Sequence, residues 1–259
     1  MTNQSENQKL RPAQRQARIL EALAQSGEAT VEALAQRFTT SPETIRRDLT
    51  TLADAGHVRK LYGRARLASP QGEGDFAARM RRNTPAKHLI AKKVRKLIKP
   101  GQTLFMDTGS TTLICADALA DIKNLTIITN ATSIAASFAA GTGGAEIYLL
   151  GGQYRGDNAQ TIGPITLAEI PHFHADIALL TIGALNQTGA MDFSNAEAMV
   201  AIAMLTAASQ TTLLADHTKC TRNAPFRLCT LNQITTLVSD RAPKPALSTA
   251  LKTAGVRLI

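Results

Sequence analysis

A chain of 259 residues, 44% hydrophobic and 19% charged, is long enough for a small domain plus a larger one and too apolar to be disordered along most of its length. The formal charge of +9 is unevenly spread: residues 1–66 hold 11 Lys+Arg against 7 Asp+Glu, residues 67–99 hold 9 against 2, and residues 100–259 hold 9 against 11. A basic front on a near-neutral body suits a polyanion-binding end joined to a different function, and no apolar run is long enough to suggest a membrane span.

In chain order, residues 1–10 are polar and are expected to form a flexible arm. They contain no apolar stretch of the kind a secretory signal needs. Ile19, Leu20 and Leu23 then fall at helical spacing, with Arg15, Arg18 and Glu21 off that face and Gly27 as a stop. Thr30 suits the N-cap of a short helix whose stripe is Val31, Leu34, Ala35 and Phe38. A third helix over 42–55 has Ser41 as cap and Pro42 at its first position. Ile45, Leu49 and Leu52 give its buried face, and Gly56 ends it. The stretch HVRKLYGRARL reads as a β-hairpin turning near Tyr62, Gly63 and Arg64, with apolar Val58, Leu61 and Leu67. Residues 11–67 therefore predict a winged helix-turn-helix, and the Pro/Gly-rich residues 68–75 a linker.

Two short helices and a tight turn would place the third helix for entry into the DNA major groove. Its side away from Ile45, Leu49 and Leu52 carries Ser41, Glu43, Thr44, Arg46 and Arg47. Hydroxyls there can reach phosphates, and arginine forks onto guanine. The hairpin would bring Arg59, Lys60, Tyr62, Arg64 and Arg66 toward the backbone or the minor groove.

Residues 76–259 form the larger domain. Residues 77–98 read as a helix pair, or as one basic helix broken near Pro85. After that, the short apolar runs TLFMD, LTIITN, EIYLLGG, ADIALLTIGA, TTLLAD and TTLVSD alternate with helical segments. That pattern predicts an α/β domain with a mainly parallel sheet. Polar groups cluster at the ends of the strand runs. Asp107, Thr108, Gly109, Ser110, Thr111 and Thr112 lie between a strand and a helix, where free backbone N–H groups cradle anions. Asn130, then Gly151 and Gly152 with Arg155, and finally Asp216 with Lys219 follow other strands. Taken singly, Asn130, Gly151 and Gly152 fit ordinary turn chemistry; recurring together at strand ends, they suggest one pocket.

The stretch TIRRDLTTLADAGHVRKLYGRA resembles the DeoR family of bacterial repressors, whose recognition helix reads TIRRDL and whose wing usually reads R-x-H-G-G-A. The hexapeptide is intact at residues 44–49, while Tyr62 and Arg64 replace the His and the second Gly of the wing. The resemblance extends over nearly the whole chain and is strongest to the glycerol-3-phosphate repressor-like branch, through Gly189, Ala190, Met191, Asp192 and Phe193, then Glu197 and Ala198, and residues 215–219. It implies a C-terminal domain similar to sugar-phosphate isomerases that senses a phosphorylated sugar or polyol. It also implies double-stranded operator DNA as partner and a homodimer or homotetramer. The family usually has a Lys four or five positions after Glu197; here those positions are Ala201 and Ile202. Either Arg155 or Lys219 supplies that charge, or the ligand is less anionic.

The expected function is a repressor of a sugar or polyol operon, relieved by a phosphorylated metabolite, with helix 86–99 carrying the signal. The alternative is a sugar-phosphate isomerase with an appended DNA module. Relatives with catalysis place an acidic cluster after the strand matching ALLTIGA, whereas residues 183–187 here contain no carboxylate. No catalytic residue and no cofactor are therefore expected. Cys115, Cys220 and Cys229 show no CxxC spacing, so neither a metal site nor a disulfide framework is indicated, and a cytoplasmic location is the natural reading. His172 and His174 read as surface loop residues, and His217 either lines the pocket mouth or makes an ordinary hydrogen bond.

Overall fold

The structure, a computed structural model, describes residues 11–26, 28–55, 57–67, 76–220 and 222–259. The expected arm 1–10, the linker 68–75 and the helix stops Gly27 and Gly56 lie outside the described residues, as do the side chains of Leu61, Arg66 and Leu67. The chain divides between Ala78 and Arg79 into two compact units.

The first unit runs α1 (Pro12–Ser26), β1 (Glu28–Thr30), α2 (Val31–Arg37), α3 (Pro42–Asp54), β2 (Val58–Leu61) and β3 (Arg64–Leu67). Its caps are those the sequence implies: Thr30 Oγ1 accepts from the Ala33 amide at 3.1 Å and Ser41 Oγ from the Thr44 amide at 3.2 Å. Ile19, Leu23, Leu34, Ile45, Leu49 and Val58 are among the side chains closing one apolar core. Each such burial is worth roughly 1.5–3 kcal/mol. The hairpin is joined by a strand absent from the sequence reading. Antiparallel β1 pairs with β3, giving the order β1-β3-β2. Three residues between two helices carry too little alternation to announce a strand; the pairing with β3 creates it.

Asp48 is only 4% exposed although it sits among charged neighbours in sequence. Arg15 Nε of α1 donates to its Oδ2 at 2.5 Å, and Gln16 Nε2 to its Oδ1 at 3.1 Å. The carboxylate thus fastens α3 to α1 from inside, leaving Arg46 and Arg47 on the outer face.

The second unit follows with α4 (Phe76–Arg81), in which the units divide, and α5 (Thr84–Arg95). The helix pair is therefore the correct alternative, with Pro85 in the first turn of α5. Next come β4 (Thr103–Met106), α6 (Ser110–Leu119), β5 (Thr126–Thr129), α7 (Thr132–Ala140) and β6 (Glu146–Leu149). Then β7 (Gln153–Arg155), β8 (Gln160–Ile162), α8 (Pro164–Glu169), β9 (Ala175–Thr181), β10 (Ala184–Asn186), β11 (Gly189–Asp192) and α9 (Asn195–Thr206). The chain ends with β12 (Ala208–Leu214), β13 (Phe226–Cys229), β14 (Thr236–Val238), α10 (Pro245–Thr253) and β15 (Arg257–Leu258).

Seven strands form an all-parallel sheet in the order β15-β14-β12-β9-β4-β5-β6. Alternate residues serve opposite layers. Leu104 and Met106 of β4 pack with α5, α6 and α7 residues such as Ile90, Leu119 and Phe138, while Phe105 packs with α9 and α10 residues such as Met204 and Leu251. From β4 the chain moves outward through β5 to β6, returns at β9 on the other side of β4, and moves outward again. The winding therefore reverses between β4 and β9, and in open α/β sheets ligands bind beyond the strand ends at such a reversal. Two antiparallel additions, β7-β8 and β10-β11-β13, lie outside the parallel sheet. No described helix is long and apolar enough to cross a membrane.

Candidate nucleic-acid interface and effector site

On α3, Ser41, Glu43, Arg46 and Arg47 are exposed and Thr44 is half-buried. Arg46 meets Glu43 at 3.3 Å, a loose pair between side chains 56% and 73% exposed, which leaves the guanidinium free to turn toward a groove. The wing is tied to the body. Lys60 Nζ donates to Thr50 Oγ1 of α3 at 2.9 Å, and Arg64 pairs with Glu28 of β1 at 2.7 Å. Arg59 is half-buried. Tyr62 stands fully exposed at the tip beside Gly63, whose φ of +69° makes the tight turn. The strand that was missed, β1, thus supplies the partner for the unusual Arg64.

In the second unit the reversal between β4 and β9 is bridged by Asp107, whose carboxylate accepts from the Thr181 amide at 2.9 and 3.1 Å. Asp107, Thr108, Ser110, Thr111 and Thr112 are all buried. Gly109 is the N-cap of α6 and has no side-chain cap bond, so the first amides of the helix face the strand ends. A Cβ on Gly109 would overlap the Thr181 side chain. Close packing of the turn after β4 against Thr181 of β9 therefore favours glycine here.

A hydrogen-bonded circuit closes around this cradle. Thr108 Oγ1 donates to Asn130 Oδ1 at 3.4 Å, and Asn130 Nδ2 to Gln160 Oε1 at 3.4 Å. Gln160 Nε2 and Asn158 Nδ2 both donate to Glu197 Oε1, at 3.0 and 2.8 Å. Arg79 Nη2 donates to Asn158 Oδ1 at 3.1 Å. Lys87 Nζ then joins the Arg79 carbonyl to Ser110 Oγ, the latter at 2.8 Å, which returns the circuit to the start of α6. On a neighbouring arm, Asn83, held at φ +54°, donates to Asp216 Oδ1 at 3.2 Å and to Thr218 Oγ1 at 3.3 Å.

Charges of both signs are concentrated here. Burial, with Asp192 and Glu197 nearby, pushes the Asp107 carboxyl well above the usual carboxylate range against the pull of the Thr181 amide. Burial and Glu197 push Asp192 up to about 6. Burial pulls the Lys87 ammonium down to about 8, despite the attraction of Asp216. Burial and the Arg222 guanidinium pull Lys219 down to about 7. Arg222 lies 5.1 Å over the Phe193 ring.

These shifts have a signed consequence. A lysine with a folded pKa near 7 or 8 and an ordinary value of 10.5 binds its proton more weakly in the folded state. Its contribution to stability therefore rises as pH climbs through that window. Asp192, raised from 3.8 to about 6, acts oppositely, and its stabilisation is lost between those values. Ligand-free wild-type protein should accordingly gain urea midpoint relative to Lys219→Met between pH 7 and pH 9. A difference that stays flat with pH would remove Lys219 from this account.

Sequence reasoning reached Asp107, Thr108, Ser110, Asn130 and Asp216 in this region but missed Arg79, Asn83, Lys87, Asn158, Gln160 and Arg222. Lys87 did leave a signal: it lies on the apolar stripe of α5 with Ile90, Ala91 and Val94, where a solvated lysine has no place. Of the two positions where the family has Lys, Ala201 is buried in the apolar layer and Ile202 is half-buried. Of the two replacements expected for that Lys, Arg155 is exposed and meets Asp157 at 3.6 Å, with no bond among the described residues joining it to the circuit. Gly151 and Gly152 serve the turn. The Gly151 amide donates to Glu169 at 2.6 Å, its carbonyl accepts from Thr166 at 2.6 Å, and Gly152 holds φ +132° against Thr166. His217 Nδ1 meets Asp240 at 2.8 Å and His174 Nε2 meets Ser209 at 2.9 Å, both ordinary hydrogen bonds. Among the described residues no His, Cys, Asp or Glu group could hold a metal ion.

A winged helix-turn-helix joined to a doubly wound α/β unit defines the class: a DNA-binding transcriptional regulator with a sensor domain. Residues 15–71 match the DeoR-like helix-turn-helix domain and residues 82–241 the DeoR C terminal sensor domain. The chain belongs to the DeoR family. It is 34% identical over 231 residues to the glycerol-3-phosphate regulon repressor of Haemophilus influenzae, covering 89% of this chain and 90% of that one. It is 31% identical over 242 residues to the HTH-type transcriptional repressor CsqR of Escherichia coli, covering 93% and 92%. Ribose 5-phosphate isomerase A of Methanocaldococcus jannaschii superposes with a TM-score of 0.39 at 16% identity, over 53% of this chain and 55% of that one. Both repressors match over about nine-tenths of their length, and the regulator reading stands over the isomerase alternative.

Proposed function

We propose that the protein is a cytoplasmic repressor that binds operator DNA as a homodimer or homotetramer and is released by a phosphorylated sugar or polyol. The observation that carries the ligand half is Lys87 Nζ at 2.8 Å from Ser110 Oγ, an ammonium buried at the start of α6. A helix N-terminus and a desolvated cation together favour a phosphate dianion. Lys87, with Arg79, Lys219 and Arg222 in the same region, makes up for the missing family lysine, so Ala201 and Ile202 do not argue for a less anionic ligand. Carboxyls and amides of the circuit, at Glu197, Asn158 and Gln160, suit the hydroxyls of a sugar or polyol. The DNA half rests on Ser41, Glu43, Thr44, Arg46 and Arg47 of α3, with Arg59, Lys60, Tyr62 and Arg64 of the wing. Ligand binding favours a state with lower DNA affinity, so each ligand weakens the other by the same factor.

The test uses duplexes that the wild-type protein selects from a random-sequence pool. Arg46→Ala/Arg47→Ala should lose at least about 30-fold in affinity for them, since each good arginine–guanine fork contributes roughly 1–3 kcal/mol. The same variant should keep the wild-type thermal shift with glycerol 3-phosphate or whichever sugar phosphate of a panel stabilises it. Unchanged DNA affinity would sink the interface; a panel with no stabilising phosphate would sink the effector class.

A further inference from the structure

The nine Lys and Arg of residues 76–99 occur without a single acidic residue, whereas residues 100–259 hold 9 basic against 11 acidic. Arg81 and Arg82 are exposed before α5, and the structure divides the other seven into three sets. Arg79 and Lys87 are buried beside the cradle. Arg95 and Lys93 are tethered on the flank of α5: Arg95 Nη2 donates to Asp121 Oδ2 at 3.0 Å, and Lys93 Nζ to the Ser239 carbonyl at 2.6 Å. Lys92, Lys96 and Lys99 form the third set. All three are exposed, and no described residue gives any of them an ion pair.

Helical geometry aligns the first two of this set. Ile90, Ala91 and Val94 turn into the core, and His88, Lys92 and the C-cap residue Lys96 recur every four residues on another side, with Lys99 following in the segment that leaves the helix. Like charges four apart on a helix are destabilising, and α5 has no acid at all to offset them. Elsewhere on the same helix the fold supplies a neutralising group, as Asp121 does for Arg95. On this face it supplies none.

We propose that the outer face of α5 and the segment leaving its C-terminus, through Lys92, Lys96 and Lys99, is a second DNA-backbone contact, by which the sensor unit itself holds phosphates. The partner is a polyanion because the face offers three point charges, unpaired among the described residues, beside a single exposed large apolar side chain, Leu89. A membrane-surface helix would need a broad exposed apolar side, and Leu89 is the one large apolar side chain exposed on α5, the others packing into the core. Among polyanions DNA is favoured because the winged helix-turn-helix tethers it to the same polypeptide, which raises its effective concentration at α5. Lysine ammoniums read no base sequence, so this contact adds affinity and salt dependence without changing operator choice. The inference rests on the chain being a DNA-binding regulator.

The experiment compares full-length protein with Lys92→Gln/Lys96→Gln/Lys99→Gln on a mixed-sequence duplex of roughly 40 base pairs, titrated across potassium chloride concentrations. Each phosphate contact adds about 0.9 to the slope of log affinity against log salt, so the slope should fall by about 2–3. The corresponding triple arginine variant should keep the wild-type slope, and the glutamine variant should melt no lower than wild type. An unchanged slope overturns the proposal. So does a variant that keeps its DNA slope but loses retention on polyglutamate, which would assign the face to an acidic protein. Wild-type protein that binds no duplex at all would instead overturn the DNA-binding reading beneath it.

Discussion

Asp48→Ala is expected to unfold the DNA-binding unit at a temperature where the sensor unit remains folded, with DNA binding lost and ligand binding retained. Asp48 is 4% exposed, and its partner Arg15 has a side chain only 12% exposed. Breaking a buried pair from one side costs about 3–5 kcal/mol, because the remaining charge stays desolvated. That is a large fraction of the ~5–15 kcal/mol that holds a typical domain, and a unit of this size sits at the low end. Calorimetry should therefore show the lower transition displaced and the upper one unchanged. Arg15→Met/Asp48→Leu separates pair loss from cavity formation: with both charges replaced by apolar groups, the lower transition should return toward wild type. DNA binding should return with it, since Arg46 and Arg47 lie on the other side of α3. A single variant whose lower transition stays within about 0.5 kcal/mol of wild type would show that the pair carries no stability.

The contrast between Asp48 and its neighbours shows where sequence reading works and where it stops. Local rules located α3: Ser41 caps, Pro42 enters the first turn, and Ile45, Leu49 and Leu52 recur at helical spacing. Asp48 lies on that stripe, three residues after Ile45, and Glu43 does not, so its burial left a local trace; what no local rule shows is its partners, Arg15 and Gln16, more than thirty residues away. The parallel sheet was legible for a similar reason. Strands buried on both faces read as unbroken apolar runs, as TLFM and ALLT do. The additions β7-β8 and β10-β11-β13 were not, since strands of three or four residues such as Gln160–Ile162 show no pattern of their own. The site divided along the same line. Asp107 and Asn130 were found because they follow apolar strands. Asn158, Gln160 and Arg79 were not, because they reach the circuit from a loop, a short strand and a short helix, none of which directly follows an apolar strand run.

Lys87→Met is expected to separate the two roles a buried lysine can have. In the ligand-free protein the ammonium is desolvated enough to fall to about 8, with Arg79 and Arg82 adding repulsion. It is held by the Arg79 carbonyl and by Ser110 Oγ. A side chain kept only for stability would not be placed in that surrounding, since an apolar group of similar length fits the stripe of Ile90 and Val94 without the desolvation cost. Methionine should therefore leave ligand-free stability unchanged or raise it. The ligand-bound state should suffer the opposite effect. A phosphate at the start of α6 would recover the lysine's lost solvation as a charge-assisted hydrogen bond, and deleting that cation removes an interaction that a low-dielectric site strengthens. Affinity for the stabilising sugar phosphate should fall at least about 100-fold, a loss of about 2.7 kcal/mol. The thermal shift at fixed ligand concentration should then nearly vanish. Lys87→Arg should restore little, because a planar fork cannot take the place of a compact ammonium between a carbonyl and a hydroxyl. The opposite pattern, lower ligand-free stability with the full ligand shift retained, would make Lys87 a structural strut. The phosphate would then have to be held by Lys219 and Arg222 on the far arm of the site.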